Sequence, residues 1–183
     1  MNIAYHIVKF TPLKLIGAYV IEPEALMDER GIFARTYCQR EFEAHGLNPI
    51  LVQCSTSFNK RRGTLRGLHY RVAPHAEVKL VRCTRGAVYD VIVDVRPESF
   101  TFRQWCATEL TADNRTMVYV PEGFAHGFET LEDSSEVFYQ MSEFHEPGHE
   151  RGVRWNEPAF KFEWPFEPVV ISARDRTYAD LIR

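Results

Sequence analysis

The chain has 183 residues, 45% of them hydrophobic, and 22 Lys and Arg against 25 Asp and Glu give a formal charge of −3. That length suits one domain, 1–183, able to bury a sizeable core, and the near-neutral charge leaves no nucleic-acid footprint beyond the short basic pair Arg61-Arg62. No stretch approaches the ~18 consecutive apolar residues of a membrane span, and Met1–His6 has neither the basic nor the apolar region of a signal peptide. A cytoplasmic protein is expected, with neither nucleic acid nor membrane as a partner.

Strand signals dominate the chain. Leu15–Val20 reads as an early strand, and Ile32–Tyr37 as another after the turn-like Asp28-Glu29-Arg30-Gly31. Glu41–His45, closed by Gly46, is the best short helix. Ile50–Ser57 and Gly63–Tyr70 follow as strands. Val78–Thr84, Arg85-Gly86 and Ala87–Val95 read as a hairpin, the second arm partly alternating apolar and polar residues. Trp105–Leu110 and Met117–Val120 are strands on either side of the turn Ala112-Asp113-Asn114. Ala125–Leu131, a turn at Glu132-Asp133-Ser134, and Glu136–Met141 suggest a further hairpin. The tail, with Trp155, Trp164, Pro165 and Pro168, reads as irregular packed coil. Many short strands separated by turn residues argue an all-β sandwich or barrel. A jelly roll is one such architecture and can enclose a cavity.

Cys38, Cys54, Cys83 and Cys106 form no CxxC pair and read as free thiols. Chemistry points instead to the histidines. Arg66-Gly67-Leu68-His69-Tyr70 and Pro121-Glu122-Gly123-Phe124-Ala125-His126-Gly127-Phe128 each set a histidine within two residues of a glycine in a β-rich run. Histidine titrates where proton transfer at neutral pH requires. Strict alternation puts Arg66 and Leu68 on one face, Gly67 and His69 on the other, with Gly67 leaving room for a ligand beside His69. Lys79 is either outward or, if inward, paired with an anion. Asp90 can orient a histidine or cap an edge, and Asp94 flanks the same apolar run. Tyr139 can protonate one face of a carbanion while a histidine works the other, or simply fill the core. Asp175 can fix a histidine tautomer or begin a helix. A barrel metal site wants an HxH pair with a downstream glutamate and histidine; the run His69–Glu77 has no HxH, so no metal is expected.

Gly63–Tyr70, Lys79-Leu80-Val81-Arg82-Cys83 and Pro121–Phe128, together with Asp28–Phe33 and Arg154-Trp155-Asn156-Glu157-Pro158, resemble the dTDP-4-dehydrorhamnose 3,5-epimerases, in order over nearly the whole chain. The resemblance implies a cupin-type jelly roll with a few short helices, a homodimer, and a cofactor-independent epimerase. Its substrate would be a nucleotide-linked 4-keto-6-deoxyhexose, inverted at C3 and C5. By position it implies His69 as base, Asp175 as its carboxylate partner, Tyr139 as acid and Lys79 beside the 4-keto oxygen. It further implies Arg30 and Arg66 at the diphosphate, a group suited to forked, permanently charged donors. Phe33, Gln53, His126, Phe128 and His145 complete the implied substrate-binding set. Three places depart from the family pattern: Arg35 where glutamate is usual, Ser55 where asparagine is usual, and His145 where a tyrosine is frequent. The alternatives are a single-centre 3- or 5-epimerase, an enzyme for another nucleoside diphosphate sugar, and a metal-dependent cupin.

Overall fold

The computed structural model describes residues 8–180; Met1–His6, which bears on the leader peptide, lies outside them. In chain order the described elements are β1 (Val8–Pro12), β2 (Tyr19–Pro23), β3 (Ala25–Asp28), β4 (Gly31–Ala34), α1 (Gln39–Ala44), β5 (Gln53–Asn59), β6 (Thr64–Arg71) and β7 (Lys79–Arg85). There follow β8 (Ala87–Asp94), β9 (Trp105–Thr111), β10 (Met117–Val120), β11 (Phe124–Thr130), β12 (Ser135–Met141), β13 (Glu150–Gly152), β14 (Val170–Ile171) and α2 (Ala173–Arg176). One sheet runs β1-β2-β10-β7-β12-β5. The other runs β13-β6-β11-β8-β9, with β14 parallel to the start of β6. β3 and β4 form a separate ribbon.

The two sheets pack face to face, as the expected jelly roll requires. Between them lie Val81 and Cys83 of β7, Val88 and Ile92 of β8, and Val118, Phe124, Phe128 and Val137. The outer face of the first sheet is covered by α1, whose Phe42 packs on Val8, Ile21, Leu80 and Met117. The tail covers the outer face of the second, setting Val153 and Phe160 on Leu68, Val91, Val93 and Ala125. Two-sided burial explains why β8 and β11 alternate only in part: all seven residues of β11 are buried.

Both expected hairpins are corrected by the sheet order. β7 pairs with β10 and β12, whereas β8 pairs with β11 and β9. β11 and β12 likewise belong to opposite sheets. Each short link carries the chain across the sandwich, so the flanking strands meet face to face through apolar side chains. Alternation reports which side is apolar and is blind to whether the neighbour lies beside or above.

Some boundaries also shift. Leu15 is fully buried but sits in a turn closed by Leu13 N donating to Ala18 O at 2.9 Å, so the early strand begins at Tyr19. β1 and β3 were not anticipated, and β4 ends at Ala34, short of Tyr37. The tail is mostly irregular yet contributes β13, β14 and α2. All four cysteines are free.

β6 holds the feature that most affects the site. His69 pairs with His126 and Arg66 with Phe128, so three steps on β6 match two on β11. The extra residue is a β-bulge. At Gly67, φ is +119°, and a Cβ there would lie 2.6 Å from Gly127 Cα. At Gly127 a Cβ would lie 2.7 Å from Arg66 O. The space beside Gly67 is thus filled by the β11 backbone, which corrects the expectation that it leaves room for a ligand. Gly127→Ala should lower stability by about 1–3 kcal/mol through this overpacking, read as a lower urea midpoint at unchanged slope. A wild-type midpoint would refute the tight crossing.

The tail is anchored on a buried acid. Glu129 of β11 is fully buried; its Oε2 accepts the Phe166 N–H at 3.2 Å, and Oε1 has no hydrogen-bond partner among the described residues. Burial pushes its carboxyl from 4.5 up to about 7. A folded-state value above the unfolded one favours folding in the protonated form, so this contribution is full below 4.5 and lost as pH rises through about 7. Glu129→Gln should therefore melt near wild type at about pH 5 and several degrees higher at about pH 8. Equal shifts at both pH values would contradict the assignment.

Candidate active site

A cavity of about 500 Å³ opens between the sheets at one end of the sandwich. From the first sheet come Gln53 and Ser55 of β5, Lys79 of β7, and Tyr139 and Met141 of β12. These are register neighbours: Met141 lies opposite both Lys79 and Gln53, and Tyr139 opposite Ser55. The other sheet provides Arg66, His69 and Arg71 from β6, and His126 and Phe128 from β11. His145 and Glu150 close the rim, and Arg174 and Asp175 arrive on α2.

The bulge at Gly67 decides this arrangement. Residues three apart on a regular strand face opposite sides, and the expectation set Arg66 and His69 apart accordingly. The extra residue changes the parity, and both line the cavity.

His69 Nε2 lies 2.7 Å from Asp175 Oδ1, and Asp175 is buried. Asp175 Oδ2 also accepts the Gly67 N–H at 3.3 Å, and its own N–H is capped by Ser172 Oγ at 3.0 Å. Burial by itself would raise the Asp175 carboxyl; the hydrogen bond and charge of His69, with the Gly67 and Ser172 groups, hold it below the ordinary carboxylate range. Asp175 is thus both a helix-start residue and the partner of His69. A second histidine–carboxylate pair stands beside the first, since His126 Nε2 lies 2.7 Å from Asp90 Oδ2 with both groups buried. Of the two readings of Asp90, orienting a histidine is the one realised. Asp94 instead holds Arg96, Ser99 and Thr101 of the following loop.

Lys79 points inward and pairs with Glu77 at 2.8 Å. Arg66 donates from Nε to Asn59 Oδ1 at 2.7 Å. Gln53 Oε1 accepts the backbone N–H of His145 at 3.0 Å, linking two of the implied binding residues. Residues not singled out from the sequence also line the cavity. Arg174 pairs with Glu150 at 2.7 Å, and its Nη2 lies 3.4 Å from His69 Nε2. Glu150 and Arg174 come from the tail, where no periodicity marks them.

Arg30 and Phe33 are not brought to this cavity. They lie on the β3–β4 ribbon, where Arg30 pairs with Asp28 and Phe33 is 67% exposed. Arg35 turns to Glu41 of α1 at 2.9 Å. The ribbon is held by its own pairing and joins neither sheet, so nothing in its register carries it to the cavity of its own chain. Among the described residues no group of three or more His, Cys, Asp or Glu gathers as metal ligands, and no helix is long and apolar enough to cross a membrane.

The family profile described as dTDP-4-dehydrorhamnose 3,5-epimerase matches residues 12–182. The enzyme of that name from Shigella flexneri is 41% identical over 157 residues, covering 85% of this chain and 86% of its own. The crystal structure of dTDP-4-dehydrorhamnose 3,5-epimerase from Bacillus anthracis with TDP and PPi bound superposes with a TM-score of 0.92 at 38% identity, covering 96% of this chain and 100% of that one. The Legionella pneumophila dTDP-6-deoxy-D-glucose-3,5-epimerase in complex with dTDP-4-keto-L-rhamnose gives 0.86 at 33% identity, covering 92% and 90%. The chain belongs to the dTDP-4-dehydrorhamnose 3,5-epimerase family.

Proposed function

We propose that this protein epimerises a dTDP-linked 4-keto-6-deoxyhexose at C3 and C5. One observation carries the reading: a carboxylate-bound histidine, His69 with Asp175, lies on one wall of a cavity whose other wall presents Tyr139 and Lys79. A C4 ketone acidifies the hydrogens on C3 and C5. With Nε2–H donated to Asp175, the His69 lone pair sits on Nδ1. His69 takes the proton from carbon, and the electron pair moves to the C4 oxygen as an enolate beside the Lys79 ammonium. Tyr139 returns a proton to carbon from the opposite face, and solvent restores both groups. The ketone already acidifies the reacting carbons, so each proton moves between carbon and the protein's own groups with no change in the sugar's oxidation state.

Arg66 suits the diphosphate: its guanidinium is oriented by Asn59, which is itself held by Ser57 O and Ser135 O. Gln53, His126, Phe128 and His145 shape the remaining walls. Arg30 and Phe33 enter the reading only through a homodimer, in which each chain offers its β3–β4 ribbon to the partner. Leu26, Met27 and Phe33, all exposed on that ribbon, support this assembly.

Incubating the sugar nucleotide in D2O should place deuterium at C3 and C5 with inversion; no exchange at either carbon with any nucleoside diphosphate 4-keto-6-deoxyhexose would overturn the reading. His69→Asn should abolish exchange at both carbons, and Asp175→Asn should slow it about 10²- to 10⁴-fold. Tyr139→Phe should retain exchange while losing inversion, because a lone base returns its proton to the face it came from. Loss of both alike would remove Tyr139 from the acid role.

For the assembly, light scattering should find a dimer, and Met27→Asp with Phe33→Asp should yield a monomer with weakened nucleotide binding. A monomeric wild type with full activity would contradict the shared site.

A further inference from the structure

Three charges sit almost out of water in the wall of the cavity. The side chains of Arg71, Glu77 and Lys79 are 4%, 10% and 15% exposed. Glu77 Oε1 lies 2.8 Å from Lys79 Nζ, and Glu77 Oε2 lies 3.6 Å from Arg71 Nη1. The Arg71 guanidinium also donates to Phe144 O at 2.6 Å and to Glu146 O at 3.0 Å. The main chain beside Glu77 is fastened too: Val78 N donates to Ser142 Oγ at 2.8 Å, and Ser142 N to Val78 O at 3.1 Å.

The arrangement has a direction. The two Arg71 Nη groups are committed to backbone carbonyls and to Glu77, and Nε is buried without a hydrogen-bond partner among the described residues. Its forked end therefore holds protein rather than ligand. A lysine ammonium on a flexible four-carbon stem does not by itself hold one position, and Glu77 supplies the constraint. Glu77 is in turn held by a guanidinium tied to the segment that carries His145. Two cations against one anion leave a net positive charge at this place, which suits an oxygen that gains negative charge during the reaction.

We propose that Glu77 is a positioning residue for the reaction: it sets the Lys79 ammonium at the cavity wall and is itself fixed by the Arg71 clamp on Phe144 and Glu146. This rests on the reading that Lys79 serves the C4 oxygen. Glu77 touches no reacting atom, so its effect must pass through Lys79. Misplacement of a catalytic group by about 1 Å costs up to about 10²-fold.

The test is a double-mutant cycle on the full chain, read as carbon-resolved exchange rate, kcat, KM and TDP affinity. Glu77→Gln should lower kcat roughly 10- to 100-fold while KM and TDP affinity change by less than about threefold. In a Lys79→Met background, adding Glu77→Gln should change kcat no further. Removing Glu77 threatens the fold by leaving two buried cations without their anion, whereas removing Arg71 with it leaves only one. Arg71→Gln with Glu77→Gln should therefore melt above Glu77→Gln alone and still keep the kcat defect. Equal losses from Glu77→Gln in both backgrounds, or recovery of kcat along with stability in the Arg71→Gln/Glu77→Gln protein, would show a merely structural role and overturn the proposal alone. Wild-type kcat in Lys79→Met would instead remove the role of Lys79, and the proposal with it.

Discussion

The cavity depends on one inserted residue. Between Arg66 and His69 the β6 strand advances three positions while β11 advances two, and the slack is taken up at Gly67 against Gly127. Without that step a cation and a histidine three apart would face opposite sides of the sheet. With it, Arg66 and His69 share one wall, and Asp175 reaches both His69 Nε2 and the Gly67 N–H. A side chain at either glycine would push apart the two backbones whose closeness creates the step. The glycines are therefore structural, although they flank the chemistry on both sides.

The all-β class and most strand positions were legible because β-branched and aromatic runs alternate with turn residues. Sheet membership was not. Val81 and Val88 are equally apolar whether their strands hydrogen-bond or stack, so the crossovers at Gly86 and at residues 132–134 looked like hairpins. Leu15 shows the same limit in another form, since burial without a strand leaves the same apolar mark. In the cavity, His69 and His126 stood out because histidine beside glycine in a strand is chemically conspicuous. Arg71, Glu77, Glu150 and Arg174 did not, because isolated charges are ordinarily solvated and only the fold shows the first two turned inward and the last two brought to the rim. Arg30 and Phe33 were marked by resemblance alone, and the fold keeps them on an exposed ribbon.

The cavity sorts its charge by partner. His69 and His126 each hold a buried or nearly buried aspartate, while Lys79 and Arg71 share Glu77. Tyr139 stands on the wall across from His69, with no carboxylate hydrogen-bonded to it among the described residues. This separation is what a reaction needs when it removes a proton on one face and supplies one on the other. The acid Glu129, at the far end of β11 from His126, faces the tail and not the cavity.

The tail also makes competence separable from foldedness. Asp175 reaches His69 through a strand of only two residues and a helix of four, docked on the edge of β6. Those few contacts are far fewer than the ones that hold the sandwich, so this segment belongs to the low-stability end of the molecule. A brief local release of α2 would leave both sheets intact and His69 without its carboxylate. The lifetime of the paired arrangement then depends on the fastening of a short appendage, and a protein fully folded by any global measure can still pass through moments in which His69 stands without its carboxylate partner.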